Sequence, residues 1–140
     1  MNAGDLKALG DAYSDFASAL VDWRAANPIS DSTLGGQFDQ LVADAVAKSD
    51  ALGEAALTAA LANLQVSVAD LKAATQKAQH ALTVIKDVTM ALSIGEAVVG
   101  VAASLLAPTV SVGTVASQLG GVAQAVQKAM APASGGPASG

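Results

Sequence analysis

Few side chains in this 140-residue chain are suited to chemistry, and their spacing is the first thing to settle. His80 is the sole histidine, with Gln76, Lys77, Thr83 and Val84 at the positions one helical turn away. Asp87 lies two turns on, about 10 Å along a helix axis. That is too far to share a metal ion with His80 or to orient it as a base. Asp11 and Asp15 are spaced i, i+4, which can place two carboxylates on one helical face, whereas Asp39, Asp44 and Asp50 do not fall on a common face. These groups read as a solvated acidic surface, with Asp44 and Lys48 spaced as a weak surface ion pair. Gly35-Gly36 and Gly120-Gly121 lack the preceding strand and following GK[ST] of a phosphate loop. There is no cysteine, which removes disulfides, thiolate metal sites and thiol nucleophiles. The expectation is a protein that is not an enzyme, with no catalytic, cofactor or metal residues.

The elements that carry these groups are helical by pattern. Leu6, Leu9, Tyr13, Phe16, Leu20 and Trp23 recur in steps of three and four, predicting an amphipathic helix over 5–26 that ends at Asn27-Pro28. Its three aromatics are expected to pack near Phe38 and Leu41. Ser30, Asp31 and Ser32 are good caps for the next helix. No proline interrupts residues 37–107, and Leu57, Leu61, Leu64, Val68, Leu71, Thr75, Ala78, Leu82 and Ile85 keep alternating steps of four and three. This predicts heptad packing within one long helix over 33–106. At roughly 1.5 Å per residue it would be about 110 Å long, with a bend at Gly53 open. Pro108 ends it, and a last helix follows over 110–130. APASGGPASG, residues 131–140, reads as a low-complexity, disordered tail. The fold expected is all-α: a single elongated helical bundle over 1–130, built on one long central helix with a flanking N-terminal helix and a C-terminal apolar hairpin.

Charge is unevenly distributed. Residues 1–54 hold nine acids and three bases, whereas residues 88–140 hold only Glu96 and Lys128. The net charge of −5 and the lack of a basic stripe argue against nucleic acid. The N-terminus has acids from position 5 and no apolar run, so no signal peptide is expected. This fits a cytoplasmic protein or one exported by a signal-independent route.

The uncharged run from Ala97 to Gln127 is 31 residues long. Two helices, 88–106 and 110–130, meet there at Ala107-Pro108-Thr109. Ser93, Ala97, Gly100, Ser104 and Ala107 form a small-residue stripe on one arm, and Gly113, Ala116, Gly120 and Ala123 form one on the other. Facing stripes of this kind permit close backbone approach. They would turn Ile94, Val98, Val101 and Leu105, and Val112, Val115, Leu119, Val122 and Val126, outward. Such a hairpin needs apolar company, either a lipid bilayer or a second subunit. Glu96 would cost about 2.5–3.5 kcal/mol at a bilayer centre. The arms also contain serines, threonines and Gln118 and lack aromatic anchors. Burial in a homo-oligomer, or against a related helical chain, stands beside membrane insertion as a reading.

The heptads from Leu57 to Ile85, running into MALSIGEAVVGVAASLLAPTVSVGTVASQLGGVAQAV at 90–126, resemble the α-helical pore-forming toxins. The resemblance implies a helical rod whose apolar hairpin is sheltered in water and released to form an oligomeric pore. It is a likeness of pattern over about two thirds of the chain, without a signature motif, and this chain is short for the family.

Overall fold

A computed structural model describes residues 2–54, 68–107 and 110–130, with Ala3 described by its backbone alone. Leu57, Leu61, Leu64, Pro108 and the tail 131–140 fall outside these residues. The described chain is an all-α bundle of five helices without strands: α1 (Ala3–Ala26), α2 (Ser32–Glu54), α3 (Val68–Leu82), α4 (Val88–Leu106) and α5 (Val112–Met130).

Local chemistry sets the helix ends. Asn2 and Asp5 form a capping box, with Asn2 Oδ1 accepting from the Asp5 N–H at 2.8 Å and Asp5 Oδ2 accepting from the Asn2 N–H at 2.9 Å. Asn27 closes α1 by donating both its backbone N–H and its side-chain amide to the Trp23 carbonyl. Asp31 caps α2, accepting from the N–H groups of Thr33 and Leu34. Asp87 caps α4, accepting from Thr89 at 2.7 Å.

The cap at Asp87 overturns one expectation. The chain from 33 to 106 is not one helix: α3 ends at Leu82, and residues 83–87 connect it to α4. Thr83, Val84 and Ile85 are consecutive β-branched residues, which lose side-chain freedom in a helix. The Thr83 hydroxyl donates to the His80 carbonyl at 2.6 Å, tying off the last turn of α3. Of the heptad positions, Leu71, Thr75, Ala78 and Leu82 are buried and Val68 is half-buried. Ile85 is buried as well, but from the connector rather than from a helix.

The break folds the chain back on itself. α1 packs most extensively on α2 and also on α3; α4 packs on α5 and α2; α5 also packs on α3. The core is continuous, joining Tyr13, Phe16, Phe38, Leu9, Leu20 and Leu52 of α1 and α2 with the aliphatic Ile94, Val98, Leu105 and Val115 of α4 and α5. Trp23 stacks on Phe38 with ring centroids 5.2 Å apart, as the N-terminal stripe predicted.

Helices α1 and α2 approach closely at Gly10, where a β-carbon would lie 3.0 Å from the Gly53 nitrogen and 3.2 Å from the Ser49 carbonyl oxygen. The buried Ser49 hydroxyl donates to the Gly10 carbonyl there at 2.8 Å. Both obstacles are backbone atoms, so a side chain at position 10 must push the helices apart. Gly10→Val should lower the unfolding free energy by about 1–3 kcal/mol. Gly36 has open space around it, so Gly36→Ala should raise that free energy by up to about 1 kcal/mol. Urea titration followed by circular dichroism reads both, and equal effects would mean the helices do not meet at Gly10.

Candidate functional site: the apolar hairpin

The residues with chemical potential assemble in part. His80 on α3 is exposed and lines a cleft of about 560 Å³ with Asp11 and Asp15 of α1, together with Lys72 and Gln76. A neighbouring cleft of about 430 Å³ carries Asp15, Asp22 and Lys86. No acid lies one turn from His80 on its own helix, and the two beside it arrive from α1, which no spacing along α3 could reveal. Among the described residues no three of His, Asp and Glu are grouped so as to hold a metal ion. Asp44 accepts from the Gln40 amide at 3.0 Å rather than pairing with Lys48, and Arg24 meets Asp39 at 3.4 Å.

The buried polar groups serve packing. The Thr75 hydroxyl donates to the Leu71 carbonyl at 3.0 Å. Burial pushes the Tyr13 phenol well above its ordinary range, against a smaller opposing effect from neighbouring Thr75. A folded-state value above the unfolded one means that this stability is present below the free phenol's value, about 10, and is lost as pH rises beyond it. Tyr13 is the only tyrosine, so absorbance at 295 nm follows it alone. Its ionisation should coincide with alkaline unfolding, and Tyr13→Phe should shift that unfolding to higher pH. Titration of Tyr13 near 10 in the folded protein would contradict its burial.

The two hairpin helices pack together, but their large side chains are not turned outward as expected. Ile94, Val98, Val101 and Leu105 on α4 are buried in the bundle, as are Val115 and Val122 on α5. Leu119 and Val126 are half-buried, and Val112 is exposed. The small stripe of α5, at Gly113, Ala116, Gly120 and Ala123, faces outward. Burial is worth about 25 cal/mol per Å², so Val, Ile and Leu gain more by facing inward than Gly and Ala. Helices α2 and α3 supply the apolar partner that the sequence alone assigned to lipid or another subunit. On α4 the small stripe divides: Ser104 is buried, Ala97, Gly100 and Ala107 are half-buried, and Ser93 is exposed. Gly100 does face the other arm, but across from Gln118, whose Oε1 would lie 2.8 Å from a β-carbon there.

Two contacts that fix the hairpin carry no sequence signal. A β-carbon on Gly95 would overlap the Leu41 isobutyl group, with Leu41 Cγ 3.1 Å away, so α4 seats against α2 at this glycine. The buried Trp23 indole N–H donates to the Ile85 carbonyl at 3.0 Å, holding the connector that leads into α4.

Electrostatically the hairpin is nearly blank. Glu96 is exposed and shares a cleft with Gln37, Gln40 and Asp44 of α2, and no further charge follows until Lys128. Among the described residues α4 is the one helix long and apolar enough to cross a membrane, by length and composition, and half of that apolar window is buried in the bundle. No protein-family model, curated protein or solved structure matches this chain.

Proposed function

We propose that this chain is a non-enzymatic, self-assembling helical protein whose hairpin, residues 88–130, is stored against the bundle and delivered to an apolar environment, a bilayer above all. The observation that carries the reading is α4, a helix of membrane-crossing length whose large side chains are covered by the protein's own α2 and α5. Its one charge, Glu96, already faces outward. Insertion then requires the hairpin to exchange contacts with α2 and α3 for contacts with lipid. A pore built from several copies, the function implied by the resemblance, is the most specific form of this reading. The test is flotation with vesicles and release of an entrapped dye. Binding and leakage that rise with protein concentration support it, and vesicles left intact at every concentration overturn it.

A second reading, a structural or filament-type subunit or an adaptor that never meets lipid, is favoured by the outward face of α5. Gly113, Ala116, Ser117, Gly120, Ala123 and Gln124 form a small, uncharged surface on which another helix can lie closely with the bundle closed. Particle mass in buffer and in detergent separates the two. Oligomers in plain buffer with inert vesicles favour the subunit, and monomers that assemble only with detergent or lipid favour the membrane protein.

A further inference from the structure

We infer that α4 and α5 leave the bundle as one unit, hinged at residues 83–87, and that Trp23 is the clasp that holds the hinge shut. The inference deepens the membrane reading and rests on it for its biological use.

Packing defines the moving unit. Helix α1 binds α2 and α3 together, and α4 is joined to α5 more extensively than to any other single helix; the seam is made by α4 on α2, α5 on α3 and, slightly, α4 on α3. The seam between the two parts carries a cleft on each side. One, of about 320 Å³, lies between α2 and α4, with Asp44 and Glu96 both on its wall. The other, of about 440 Å³, lies between α3 and α5, lined by Ala73, Lys77, Leu119 and Val126. Two like charges beside the first cleft add nothing to closure, and the second mixes aliphatic side chains with Asp70, Lys77 and Gln127.

The connector can turn at little cost to either helix. The N–H groups of Thr83, Val84 and Ile85 bond back to His80 and Ala81, so α3 is finished without α4. Asp87 caps α4 from its own side, so α4 begins without α3. Rotation between Ile85 and Asp87 therefore breaks no helical hydrogen bond. Among the described residues, what ties this connector to another helix by a hydrogen bond is the Trp23 indole on the Ile85 carbonyl. The indole is itself held rigid by its stack on Phe38.

Hydrogen exchange in lipid-free buffer tests this on the intact chain. Trp23→Phe keeps an aromatic ring against Phe38 and removes the donor. Loss of one buried hydrogen bond should raise opening about tenfold, so protection across 88–106 and 112–130 should fall together by about that factor. Protection in 3–26 and 32–54 should change less than about twofold, because local opening leaves the remaining core intact. A second variant tests the seam in this cysteine-free chain. A β-carbon at position 95 would lie 3.1 Å from Leu41 Cγ, so paired Leu41→Cys and Gly95→Cys come within reach of a disulfide, whose β-carbons sit about 3.5–4.5 Å apart. Oxidation should slow exchange throughout 88–130, and reduction should restore it. Faster exchange in α5 with α4 unchanged overturns the single unit. Equal acceleration in every helix, or none, overturns the clasp, and an oxidised pair that exchanges like its reduced form overturns the seam. No lipid is present, so inert vesicles would defeat the membrane reading while leaving this result standing.

Discussion

Trp23→Ala should lower the unfolding free energy by about 3–5 kcal/mol, the range for deleting a large aromatic from a packed core. Trp23 is 3% exposed. Its removal opens a cavity between α1, α2 and the connector and ends the stack on Phe38, itself worth about 0.5–1.5 kcal/mol. It also leaves the Ile85 carbonyl buried without its donor, at a further cost of about 1–3 kcal/mol. These effects share one site and do not add fully, so the cavity sets the scale. Small domains hold only about 5–15 kcal/mol in total, and the loss should bring the melting temperature down by roughly 10 °C or more. Thermal unfolding followed at 222 nm reads it. A fall below about 1 kcal/mol would mean that the indole is not an integral part of the core.

The second large effect is on membranes. Ala103→Asp should leave the soluble bundle intact and reduce vesicle partitioning by about 100-fold. Ala103 is exposed and lies seven residues, two turns, beyond Glu96 on the same face of α4. In water an added carboxylate there costs only its helix propensity, about 0.5 kcal/mol. At a bilayer centre it costs about 2.5–3.5 kcal/mol, which corresponds to roughly 60- to 300-fold in partitioning. Val101→Asp is a poor substitute: Val101 is buried in the bundle, so the change would unfold the protein before lipid is encountered. Flotation of folded Ala103→Asp beside the unaltered chain decides the matter. Equal binding would show that α4 stays out of the bilayer, leaving the subunit reading.

The sequence was informative wherever one segment determined the outcome. The apolar stripe of α1, the stop at Asn27-Pro28, the cap at Asp31 and the end of α4 just before Pro108 all depend on residues within a turn or two. It misled where two local signals competed and where the outcome depended on a distant partner. Heptad steps run through Leu82 to Ile85 without a fault, yet the helix stops between them, because Asp87 offers a better start for a new helix than a continued one. On the hairpin, periodicity separated large from small stripes correctly but could not say which faced inward. That depended on α2 presenting Leu41 to Gly95 across 54 positions of sequence. The Trp23–Ile85 bond spans 62 positions and has no local signature.

The placement of the aromatics has a consequence for biosynthesis. Tyr13, Phe16 and Trp23 lie in α1, and Phe38 completes their cluster from α2. A ribosome delivers the chain from its N-terminus, at about 5–20 residues per second. Helix α2, on which α4 docks, is therefore complete about 2–7 s before α4 begins to be made. The aromatic cluster is thus complete in the chain before the hairpin that packs beside it has been made.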